Sequence, residues 1–335
     1  MARPFSNYLA RGPVLVRAES APALRDIDTI VFDVDGVLVD VTRSFRRCIS
    51  LTTQRYLETV FGARFRARYL RVSEVALFKR AGGFNNDWEL TEAAILFYLM
   101  KHALSKATEP AALRAQPPTL KAFLERVSER GGGVAKAREV LRELSPSNAV
   151  TRQAFDLFDP RAVRSLFVSL YAGRLLARIY PDLHIPVPRQ RGLIESEPIL
   201  IDESLIDPRR FRYGILTGRT SGELSFTLER FSRLPDAVGS RVRVDDGGAL
   251  KPEAEALLPL VSDARTALYI GDTFDDLLTV VNARASRPDI EILFGAIAHT
   301  REDRTFFAAR GADMIASSVN DILSLVNHSR QGASR

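Results

Sequence analysis

The stretch TIVFDVDGVLVD, residues 29–40, decides how the whole chain reads. An apolar run of strand type ends in two aspartates one residue apart, Asp33 and Asp35, followed at once by Gly36. In an extended strand, residues i and i+2 point the same way, so both carboxylates are expected to face one site at the strand's end. Two like charges that close repel, and each is costly to desolvate unless a cation or a shared proton offsets it. The arrangement points to a Mg²⁺-dependent carboxylate nucleophile with an acid/base beside it.

Working outward, strand-type runs recur at 213–216, 267–270 and 291–297, with a short one at 313–316. Helical periodicity fills 221–231, 252–260, 275–285 and 319–326. Such alternation predicts an α/β fold, a Rossmann-like parallel sheet with helices on both faces and its chemistry at the carboxyl ends of the strands. Asp33, Thr217 and Asp272 all fall at such ends. Between the first strand and Tyr213 the chain reads almost entirely helical, over 43–61, 88–106, 120–130, 135–143 and 160–178, punctuated by glycines and prolines. The predicted layout is a core of 27–42 and 199–328 with an α-helical cap domain, 43–198, inserted into it. Residues 1–26 form an N-terminal extension and 329–335 a C-terminal tail.

The 335 residues are enough for one large core, or for a domain with a sizeable insertion. No apolar run approaches the roughly 18 residues of a membrane helix. The single cysteine, Cys48, excludes an intrachain disulfide, and no secretory signal is read, so a cytoplasmic location is expected. The net charge is +6, but the basic residues are dispersed and lack the aromatic interleaving that stacks bases. Neither a nucleic acid nor a membrane is expected as partner; diffuse positive charge suits anionic substrates. The oligomeric state is not legible.

Four short motifs follow in fixed order: Asp33-Val34-Asp35-Gly36; GILTGRT at 214–220; Lys251-Pro252; and YIGDTFDDL at 269–277, which holds Asp272 and Asp276. Lys251, one of six lysines, is expected to open a helix, where a cation opposes the helix dipole by up to about 1 kcal/mol. A bound phosphate or the Asp33 carboxylate would offset that cost. Thr220 with Glu223 makes a capping box, so Thr220 reads as structural and Thr217 as the phosphate contact. Asp276 is ambiguous, because an acid in a helix's first turn is favourable on its own account.

In order and context, the motifs together resemble the haloacid dehalogenase (HAD) superfamily, and the insertion resembles its helical C1-type cap. The resemblance implies a two-step hydrolysis. Asp33 attacks phosphorus and forms an aspartyl-phosphate, while Asp35 protonates the leaving alkoxide and then activates water. It implies Mg²⁺ held by Asp33, the Asp35 backbone carbonyl and Asp272, with Asp276 orienting the metal's surroundings. Thr217, the Gly218 N–H and Lys251 would hold phosphate oxygens. An aspartate at the position of Asp35 suits a phosphatase acting on a small phosphorylated metabolite. It suits a phosphomutase of the β-phosphoglucomutase type as the alternative. A basic, non-catalytic binding module is the third reading.

The cap segment KRAGGFNNDWEL, 79–90, is the most distinctive piece outside the core. Asn85, Asn86 and Asp87, with Arg46 near the cap entrance, are candidate substrate-selecting residues. Equally, Asn86 and Glu89 read as a helix cap and Trp88 as packing. The segment resembles a branch of the superfamily associated with histidine biosynthesis, making histidinol phosphate a candidate beside phosphoglycolate and sugar phosphates. Glycines 131–133 lack the ending of a phosphate-binding loop and read as a turn.

Overall fold

The computed structural model describes residues 5–84, 87–246 and 248–331. The chain divides into two compact units, Met1–Asp40 with Pro198–Arg335, and Val41–Glu197.

The first unit is built on a sheet whose strands, among the described residues, are β1 (Tyr8–Arg11), β2 (Val14–Arg17), β3 (Thr29–Phe32), β4 (Arg212–Leu216), β5 (Val242–Arg243), β6 (Thr266–Gly271), β7 (Glu291–Ile297) and β8 (Met314–Ala316). Their spatial order is β1-β2-β8-β7-β6-β3-β4-β5. From β8 to β5 every pairing is parallel, whereas β1 with β2 and β2 with β8 are antiparallel. Every residue of β3 and β6 is buried. That burial is why both read as unbroken apolar runs: a parallel strand covered on both faces has no polar side to alternate with.

Register places the chemistry. Phe32 lies level with Ile215 of β4 and Ile270 of β6. The chain therefore leaves the sheet at Asp33, Thr217 and Asp272 along one edge. Helices Ala254–Val261 and Phe274–Ser286 pack Leu257, Leu260, Leu277 and Val280 against Val31, Tyr269 and Phe294 of the strands.

The second unit is helical. Its helix Asp87–Ser105 buries residues on all sides, from Leu90 and Ala94 to Leu99 and Met100, and so lacks a polar face. It packs against Phe45–Phe61, Gly133–Leu144, Asn148–Asp156 and Pro160–Ala172. The single helix expected over 160–178 ends at Gly173, where a Cβ would stand 2.3 Å from the Gly192 backbone N. The loops at Gly82 and Gly132 meet backbone to backbone, with Gly133 N–H donating to the Gly82 carbonyl at 2.9 Å. A Cβ on Gly132 would lie 2.1 Å from that oxygen, which explains both glycine clusters as a tight crossing. No helix among the described residues is long and apolar enough to cross a membrane.

Two expectations change. Residues 8–17 are not simply an appendage: Val14 and Val16 are buried, and β2 pairs with β8, with β1 outermost. Those strands are only four residues long and joined by a two-residue turn, Gly12 and Pro13, so their periodicity is too brief to read. The helix expected from 252 begins instead at Ala254 with Glu253 as its N-cap.

Val16 faces the core at full burial, so Val16→Asp leaves an unpaired charge there. We expect roughly 3 kcal/mol or more of lost stability in urea unfolding. A loss below about 0.5 kcal/mol, the usual range of surface changes, would return residues 8–17 to the periphery.

Candidate active site

Asp33 stands one residue beyond β3, almost fully buried, its N–H donating to the Ile270 carbonyl at 2.9 Å. Since the strand stops at Phe32, Asp35 is not placed by strand alternation; it lies in a turn where the Gly36 N–H meets the Val39 carbonyl. Gly36 has φ +76°, and a Cβ there would come within 2.2 Å of Asp272 Oδ2. Glycine is thus required twice, for the backbone angle and for the approach of Asp272.

Lys251 closes the site from the turn ahead of helix Ala254–Val261. Its Nζ lies 2.9 Å from Asp33 Oδ1 and 2.7 Å from Asp276 Oδ1. It precedes the N-cap, so it does not oppose the helix dipole; the two carboxylates account for its position. Asp276 opens the helix Phe274–Ser286 in a capping box with Thr273. Its Oδ2 accepts from Asp272 N, Thr273 N and Thr273 Oγ1, and its Oδ1 from Tyr269 Oη and Lys251. Tyr269 was invisible as a site residue because an aromatic in a buried strand reads as core.

Burial disfavours charge on Asp276, yet Lys251 and the hydrogen bonds from Lys251, Thr273 and Tyr269 hold its carboxyl below the usual range. Burial likewise opposes the Lys251 ammonium, but Asp276 and Asp33 outweigh it and keep its pKa well above the ordinary value. Asp33 moves the other way. Burial pushes its carboxyl well up, Lys251 pulls against that, and Asp276, Asp35 and Asp272 add to the rise.

Thr217 and Gly218 follow β4, Thr217 buried and Gly218 exposed. Thr217 Oγ1 accepts from Arg219 N at 3.2 Å. Arg219, fully buried, turns its guanidinium to Asp35, with Nε and Nη2 each 2.7 Å from Oδ1. Sequence reasoning took Arg219 only as part of the loop. A buried arginine directly after a strand-end Thr-Gly is the signal that could have marked it, because an unpaired buried guanidinium is not tolerated.

No family model matches the chain, and no curated protein matches it. Solved structures do match. Phosphatase Tt82 from Thermococcus thioreducens is 25% identical with a TM-score of 0.54, over 89% of this chain and 98% of that one. A structural-genomics target is 15% identical with a TM-score of 0.52, over 90% and 99%. The chain shares the fold of these two structures. A HAD-family hydrolase from Deinococcus radiodurans is 14% identical with a TM-score of 0.44, over 91% and 97%.

The sheet's edge brings together Asp33, Asp35, Lys251, Asp272 and Asp276, with Thr217 and Gly218 on the adjoining strand end. Ligand oxygens of Asp33, Asp272 and Asp276 lie within 4.8 Å of one another, a cluster able to hold a divalent metal. At that spacing two carboxylates repel by roughly 3 kcal/mol at an effective dielectric of 20, so the crowding favours a cation. Asp276 already accepts five donors. Its oxygens therefore have few lone pairs left to offer a hard cation.

Arg46 and Asp87 belong to the helical unit. Arg46 is half-buried in helix Phe45–Phe61. Asp87 starts helix Asp87–Ser105 and pairs with Lys79 at 3.1 Å, a placement its helix end favours. Asn85 and Asn86 lie outside the described residues. Trp88 packs on Phe167 and Tyr180, as a core aromatic would.

The two pKa directions have opposite consequences for stability. Asp276, held below 3.8, adds stability above that pH and loses it as pH falls through its lowered value. Asp33, held above 3.8, adds stability below that pH and loses it as pH rises through its raised value. In metal-free protein at pH 7, Asp276→Asn should cost about 3–5 kcal/mol in urea unfolding, a deficit that narrows in acid. Asp33→Asn should cost nothing there; equal losses in both variants would contradict this assignment.

Gly36→Ala, judged by circular dichroism to be folded, should displace Asp272 and weaken binding of a divalent metal at least tenfold by calorimetry. Unchanged metal affinity would remove Asp272 from the ligand set.

Proposed function

We propose that the protein is a Mg²⁺-dependent phosphomonoester hydrolase acting on a small phosphorylated metabolite. One observation carries this reading: a buried carboxylate, Asp33, ends the central strand against Lys251 and among Asp35, Asp272 and Asp276. The 25% identity to a phosphatase over most of both chains supports it.

The two oxygens of Asp33 differ. Oδ1 faces Lys251, and Oδ2 receives no hydrogen bond from the described residues. Oδ2 is the nucleophile: its bond to phosphorus forms as the bond from phosphorus to the ester oxygen breaks. Asp35 gives its proton to that departing oxygen, so the leaving group departs as an alcohol. Asp35 then takes a proton from water, whose oxygen bonds to phosphorus as the Asp33–phosphorus bond breaks and phosphate departs. Thr217 Oγ1, the Gly218 N–H and the Lys251 ammonium bind the non-bridging oxygens. Mg²⁺, held by the Asp33 and Asp272 carboxylates and the Asp35 carbonyl, would offset the charge of the phosphoryl group when bound. Asp276 acts through Lys251 and the Asp272 backbone, fixing both.

The test is phosphate release from histidinol phosphate, phosphoglycolate and sugar phosphates, with and without Mg²⁺, beside Asp33→Asn. Turnover should require both the metal and Asp33, with Asp33→Asn at least 10³-fold slower, on the order of what removal of a nucleophile costs. Release that survives in Asp33→Asn or in excess chelator would refute the mechanism. No release from any ester would refute the hydrolase itself.

A further inference from the structure

We propose that Arg219 is a positioning residue that selects which oxygen of Asp35 handles the proton. The proposal rests on the hydrolase reading above and goes beyond it. Nε and Nη2 of Arg219 both converge on Asp35 Oδ1, each at 2.7 Å. Oδ1 accepts the Nε–H and has a second guanidinium nitrogen against it, so the cation disfavours a proton on that oxygen. Asp35 Oδ2 accepts no hydrogen bond from the described residues, and the Asp35 side chain is 29% exposed, so one oxygen is tied and the other open.

Arg219 is itself held in place. Its N–H donates to Thr217 Oγ1, its Nη1 to Thr227 Oγ1, and it shows no exposed surface. Thr227 is fixed in turn by donating to the Glu223 carbonyl at 2.9 Å. Glu223 closes the capping box that begins helix Ser221–Leu228. A rigid helix start on β4 thereby sets the rotamer of a carboxylate standing on the β3 turn. Both proton steps then pass through Oδ2. The Oδ2–H bond breaks as the ester oxygen takes the proton and leaves, and it re-forms with a proton from the attacking water.

The experiment compares kcat/KM for the best alkyl phosphomonoester with that for p-nitrophenyl phosphate, both with Mg²⁺. The alkyl leaving group needs a proton as it departs, whereas p-nitrophenolate does not. Asp35→Asn should reduce the alkyl value by about 10²- to 10⁴-fold and the aryl value far less. Arg219→Met should do the same in smaller measure, roughly 10- to 100-fold on the alkyl ester and within about threefold on the aryl ester. A merely structural arginine would lower both values together, and that result would overturn the proposal. Should Arg219→Met not fold, Thr227→Val, close in shape, removes the acceptor for Nη1. It should favour the aryl ester in the same sense, and equal losses on both esters overturn the proposal as before. The two readings fail separately. If the wild type releases no phosphate, the hydrolase reading falls and takes the proposal with it; if it does but Asp35→Asn does not discriminate, Asp35 is not the proton donor and the proposal falls with that role. If Asp35→Asn discriminates and the Arg219 and Thr227 variants do not, only the proposal falls.

Discussion

One ammonium held between two buried carboxylates organises this molecule. Lys251 reaches both Asp33 and Asp276, and removing any of these charges from water is expensive unless each finds its partners. Asp276 finds them completely. Five donors converge on its two oxygens, from the strand β6, from the helix cap and from Lys251. Asp33 does not, and burial, with the three acids around it, pushes its carboxyl up. One acid is therefore spent on architecture while the other is left frustrated. A strained group of this kind costs stability and supplies chemistry.

Close approach is the second constraint, and glycine makes it possible. Gly36 lets Asp272 sit against the turn that carries Asp35, and Gly271 does the same for Asp276, whose Cγ would lie 2.5 Å from an added Cβ. The parallel register then aligns three strand ends so that each delivers one part of the site. Asp33, Asp35, Thr217, Asp272 and Asp276 stand within a few residues of buried strands, where packing fixes them, and Lys251 reaches them from the turn ahead of helix Ala254–Val261.

The sequence made the core legible because buried parallel strands read as apolar runs and the polar residues that interrupt them are costly enough to need a reason. Asp33, Thr217 and Asp272 stand out on that ground. What escaped was of three kinds. Short antiparallel strands such as Tyr8–Arg11 and Val14–Arg17 give too few periods to register. The helix Ala254–Val261 starts later than its pattern suggests, so the dipole argument for Lys251 pointed to the right residue for the wrong reason. Tyr269 and Arg219 act through partners 7 and 184 positions away, a pairing that only the fold creates. Within the helical unit, glycines 82, 83, 132 and 133 form a backbone crossing, and Gly131 lies in the turn that leads to it.

The two central aspartates share a design that neither shows alone. Each has Oδ1 bound to a cation from another segment, Lys251 for Asp33 and Arg219 for Asp35, and each keeps Oδ2 open. Carboxylate oxygens are chemically equivalent in water, and here the fold makes them different. The tied oxygen anchors the rotamer; the open one is the atom that the proposed reaction would use for bond making or proton transfer. Holding a reactive atom to a single orientation lowers the entropy that must be lost on the way to the transition state, a saving that can reach several kcal/mol. Charge neutralisation alone could have been achieved by any nearby cation. Two cations each meeting one particular oxygen serve orientation as well as charge, and orientation is what a two-carboxylate mechanism most needs from its scaffold.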